Sequence, residues 1–116
     1  MLCLRRRGRY GLLFLDGHSD FRHRDNSQKV GAAAGEDLAI VTGRGQPGLS
    51  NIDGLRPYVS DRDVVTMGLR EDDEYLNELT SLGIRCLTSR QFREKGVNRF
   101  VGDALRILES RELKGF

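Results

Sequence analysis

Tyr10 to Leu15 reads YGLLFL and stops at Asp16. A continuous apolar run of this length, flanked by glycine and charge, suits a strand buried on both faces, because the alternation of a half-wet strand is lost when neither face meets water. Such a strand needs cover on each side, and the rest of the chain offers it in an ordered way. Asp63 to Leu69 (DVVTMGL) and Ile84 to Leu87 (IRCL) read as two further buried strands. Between them, Asp72 to Leu82 carries Tyr75, Leu76, Leu79 and Leu82 at helical spacing with acids in its first turn, and Gly83 stops it.

Ala32 to Thr42 is Ala-rich, with Leu38 and Val41 three apart, and predicts a short helix. Thr88 or Ser89 can cap a short helix around Gln91 to Glu94. Asn98 to Leu113 predicts a longer helix with Val101, Leu105, Leu108 and Ala104 facing inward. Phe21 to Val30 is polar and reads as loop, as does the turn-rich Gly43 to Gly54. Strands alternating with helical segments argue for an α/β class with a mainly parallel sheet and flanking helices. The expected core is Leu12, Leu13, Phe14, Val64, Met67, Leu79, Ile84, Leu105 and Leu108.

At 116 residues this is a single domain. Its four tip arginines, Arg5, Arg6, Arg7 and Arg9, account for more than the net charge of +2, so the remainder is acidic. Residues 1–9 therefore read as a flexible basic tip. A nucleic-acid module carries its positive charge on a face of the fold, and the sequence argues against that partner. Cys3 and Cys86 have no paired spacing and predict reduced thiols in the cytoplasm. No apolar run approaches the roughly 20 residues of a membrane span, and no leader pattern follows the arginines.

Asp16-Gly17-His18-Ser19-Asp20 carries the chemistry. It stands where the first buried strand ends, and α/β sheets bind ligands beyond the carboxyl ends of their strands. Carboxylates with one imidazole suit Mn, Fe, Zn or Mg. A straight strand would separate Asp16 from Asp20 by about 13 Å, too far to share one ion. Either the chain curls after Asp16, which Gly17 permits, or the residues serve two neighbouring ions.

The string LLFLDGHSDF resembles the DAHxD motif of the arginase/agmatinase family, the ureohydrolases, with Gly17 for the usual Ala. GEDLAIVTGRG (Gly35 to Gly45), VVTMGLRE (Val64 to Glu71) and LGIRCLTSRQFREKG (Leu82 to Gly96) are similar to that family's succeeding segments, in order. The resemblance implies part of a three-layer α/β/α fold and a C–N hydrolase acting on guanidino compounds with a pair of Mn²⁺ ions that activate a bridging hydroxide. By motif, Asp16 bridges both ions, His18 binds one and Asp20 the other.

It also implies ligands that this sequence lacks: a Gly-Gly-Asp-His segment before the motif and an SxDxDxxDP strand after it. Ala34-Gly35 stands where a His-Gly pair is usual. The expectation is a truncated family member holding half of the dinuclear site and inactive by itself. The alternative is a non-catalytic remnant or binding module with the same fold. The missing strand predicts an apolar sheet edge and a homo-oligomer.

Other polar residues carry plainer expectations. His23 reads as solvated, Arg44 and Arg70 as exposed and paired with nearby acids, and Cys86 as a packed apolar residue. GRGQPG has no Lys-Ser/Thr and follows no strand, so it is not a nucleotide loop.

Overall fold

The computed structural model describes residues 1–116. Its centre is a three-stranded, all-parallel sheet in the order β1 (Leu12–Leu15), β2 (Val64–Leu69), β3 (Arg85–Thr88). The helices are α1 (Leu2–Arg5), α2 (Asp37–Val41), α3 (Pro47–Ser50), α4 (Leu76–Ser81), α5 (Ser89–Lys95) and α6 (Val97–Glu109). The three expected strands are all present, shifted by a residue or two at their ends.

Alternation along the strands sorts the side chains into two layers of core. Leu12, Phe14, Val64 and Cys86 face one cluster, with Leu38 of α2, Leu79 of α4, Phe21 and Ile84. Leu13, Val65, Met67 and Leu87 face the other, with Phe100, Ala104 and Leu108 of α6. β2 is central and five of its six residues are buried. β1 lies at an edge, so Leu12, Leu13 and Phe14 are half-buried rather than fully enclosed, and Leu15 is 68% exposed.

Several expectations are corrected. Ala32–Thr42 is not one helix: a 3-10 turn over Ala33–Gly35 precedes α2, since Gly35 interrupts the pattern. Gly43–Gly54 is not all loop, because Pro47 at the first helical position starts α3 and a 3-10 turn follows over Ile52–Gly54. The 72–82 helix is shortened to α4, as the acidic stretch before it turns back toward β1. On α6 the inward row is Phe100, Ala104 and Leu108, while Leu105 is half-buried and Val101 is 39% exposed. Thr88 caps α5 through a capping box with Gln91.

The basic tip is tied to the fold. Arg9 donates from Nε and Nη2 to the two oxygens of Asp63, at 2.8 and 2.7 Å, and Asp63 is 1% exposed. Arg44 is half-buried, pairs bidentately with Asp61 at 2.7 Å and lies over the Phe21 ring.

His23 is buried, not solvated. Its Nε2 lies 3.2 Å from Glu78 Oε1, its ring meets Phe21 edge-on, and Asn26 Nδ2 donates to Glu78 Oε2 at 2.9 Å. Glu78 on α4 thus satisfies two polar groups of the 21–27 loop. Glu78→Ala is expected to destabilise the chain by about 1–3 kcal/mol, the cost of leaving buried partners unpaired. Urea unfolding checks this; a loss inside about 0.5 kcal/mol, the surface range, would mean water replaces the carboxylate.

Candidate functional site

The motif begins where β1 runs out, but the chain keeps its hold on β2. The Asp16 amide donates to the Met67 carbonyl at 3.2 Å, and the Arg70 amide donates to the Gly17 carbonyl at 3.1 Å. Gly68 permits the backbone turn at this approach. It sits in a bulge of β2 at φ +94°, and a Cβ there would stand 3.4 Å from the Asp16 carbonyl oxygen. The bulge also shifts side-chain parity, so Leu69 joins Val64 in the same core cluster.

After Asp16 the backbone curls rather than running straight on. Asp16 Oδ1 accepts the His18 amide at 2.9 Å, an Asx-type turn. The Ser19 amide donates to Asp73 Oδ2 at 2.9 Å, and Ser19 is buried. Asp20 then adopts φ +45°, and its carbonyl accepts the amides of Leu38 and Ala39 in α2. Four elements therefore fix the loop: β1, β2, α2 and the 70–75 segment.

Among the side chains, Asp16 and His18 meet, with Nδ1 3.5 Å from Oδ1, and both are well exposed. Asp20 stands half-buried in the same loop. Burial pushes its carboxyl above the usual range; Asp16, Asp37 and Asp73 push the same way, while His18 opposes them. The donor types fit a hard divalent cation, yet no three His, Cys, Asp or Glu side chains are placed to hold one ion. As arranged, the three motif residues do not form a metal cage.

What the loop does form is one wall of a cleft of about 480 Å³. His18, Ser19 and Asp20 face Ala34 and Gly35 on one side and the segment from Arg70 to Tyr75 on the other. Asp73 is committed to the Ser19 and Tyr75 amides. Glu74 lies 3.4 Å from Arg22, and exposed Arg70 lies 3.7 Å from Asp72, as its neighbours in sequence suggested. The Asp20 carboxylate has no such partner, so the cleft offers an acidic, half-desolvated wall suited to a cation. The Asp72–Glu74 stretch was legible only as acids of a helix start; its place facing the motif loop is what the pattern did not reveal.

A three-layer parallel α/β protein with a carboxylate–imidazole loop at the carboxyl end of its first strand is the class defined by these features. The chain belongs to the arginase family: a sequence model of that family matches residues 3–114. It is 29% identical over 104 residues to an arginase of Bacillus caldovelox, covering 89% of this chain and 34% of that protein. It is 31% identical over 96 residues to an arginase of Brevibacillus brevis, covering 82% of this chain and 32% of that one. The native B. caldovelox arginase structure superposes over 89% of this chain and 34% of its own, with a TM-score of 0.77. A Bacillus subtilis arginase, at 24% identity, shares the fold over 92% of this chain and 37% of its own, with a TM-score of 0.80. The chain spans about a third of the length of these relatives.

Proposed function

We propose that this chain is a segment of an arginase-family manganese hydrolase of guanidino-type C–N bonds, carrying half of the dinuclear metal site and inactive alone. The observation that supports it is the place of Asp16, His18 and Asp20: a family-like motif curled beside an acidic cleft, at the strand end where α/β sheets bind ligands. Asp16 and His18 are already neighbours, and Asp20 carries the unpaired carboxylate. The proposal includes a cytoplasmic setting, self-association through the β1 edge, and no nucleic-acid or membrane partner. No helix is long and apolar enough to cross a membrane.

A second reading, a non-catalytic remnant or binding module, draws support from the side chains that do not converge. Calorimetry with Mn²⁺ on the wild-type chain and on Asp16→Ala and Asp20→Ala tests the metal assignment. Weak binding in the wild type that vanishes in both variants is expected. Equal heats from all three proteins would remove these residues from the site.

A further inference from the structure

The arginines of the tip looked isolated in the sequence, but the fold gives them company at the end of the sheet away from the motif. A pocket of about 180 Å³ opens between the tip and the approach to β2. Arg5, Arg9 and Arg62 line it, with Tyr10, Ser60 and Asp63. Asp63 is its single carboxylate, and both of its oxygens are consumed by Arg9. Arg5 spends only its Nε, on the Pro57 carbonyl at 3.2 Å. Arg62 is exposed and makes no hydrogen bond or ion pair within the chain.

We propose that the pocket formed by Arg5, Arg9 and Arg62 is a binding site for a phosphate-class anion. Three guanidinium groups face one carboxylate already neutralised, so the pocket is a net cation with donors to spare. Guanidinium forks match the oxygens of a phosphate and bind it bidentately.

Arg111, outside the pocket lining, feels the charge of the same residues. Burial lowers its pKa; Asp63 opposes that, while Arg9, Arg62 and Arg85 act with burial. Its Nη1 is buried with no partner. An arrangement that crowds like charge without pairing it costs stability, and an anion offsets that cost. The site is independent of the metal proposal: it shares no residue with the motif loop, and neither test bears on the other.

The test is calorimetry and ³¹P line broadening of the full chain with inorganic phosphate and pyrophosphate at low salt. Arg62→Gln is the variant, because Arg62 supports nothing else. Arg90→Gln, an exposed arginine of α5 outside the pocket, is the control. Binding of both anions is expected, weakened about tenfold or more in Arg62→Gln and unchanged in Arg90→Gln. Absence of both heat and broadening, or equal affinity in wild type and Arg62→Gln, would overturn the site. A single-stranded DNA oligomer forms the third arm. The proposal requires that pyrophosphate compete with any binding it shows; binding that pyrophosphate fails to displace, with no signal from the small anions, would mean a polymer surface and overturn it too.

Discussion

Purified chain supplied with Mn²⁺ and arginine or agmatine is expected to release no urea above the uncatalysed rate. The shortfall against a working hydrolase is on the order of 10⁶-fold or more, the low end of typical enzymatic rate enhancements. The reason lies in this chain's own groups. Catalysis by hydroxide transfer needs the attacking oxygen held in line with the carbon, and positioning of that kind requires a closed set of ligands. Here the donors from one loop are two carboxylates and one imidazole. Two of those three are turned on each other, and no third group reaches them. The assay is run across a concentration series, since a second copy could bring its own loop to the exposed β1 edge. Turnover that rises with concentration and disappears in Asp20→Ala would show the proposal of inactivity to be wrong.

The parts of this fold legible in the sequence are those where a local pattern had one physical solution. YGLLFL and DVVTMGL are short apolar runs and strands form within both, β2 enclosed and β1 at an edge. The motif's position at a strand end followed directly. Less legible was whatever depended on a partner distant in sequence. His23 sits in a stretch of polar residues, and its burial is tolerable because Glu78, brought over by α4, meets Nε2 while the Asp25 amide meets Nδ1. Asp73 looked like a helix-start acid until its carboxylate met the Ser19 amide. Arg9 and Arg62 stand far apart in the sequence and share a pocket only in the fold. Half-burial of Leu12, Leu13 and Phe14 has the same origin: apolar composition predicts that a strand wants cover, not whether a neighbour stands beside it.

Helix α6 supplies the other large effect. Its apolar residues form two adjacent rows, Val97–Val101–Leu105 and Phe100–Ala104–Leu108, and periodicity cannot choose between rows set one position apart. The junction chooses. Gly96 stands at φ +72° between α5 and α6, and it turns the second helix so that Phe100 points at Val65, Met67 and Leu87. Phe100 is 3% exposed and meets Phe92 edge-on with ring centroids 5.4 Å apart. Phe100→Ala should therefore cost about 3–5 kcal/mol, the transfer term plus an unfilled cavity under the sheet. That is a large share of the roughly 5–15 kcal/mol that a domain has in total, so the variant should be partly unfolded at 37 °C. Val101→Ala should lie within about 0.5 kcal/mol of wild type, because that side chain is 39% exposed and alanine suits a helix better. Urea midpoints at constant m-value measure both. The reverse order, with Val101→Ala the costlier change, would mean that the outer row of α6 is the one packed on the sheet, and the azimuth set at Gly96 would be wrong.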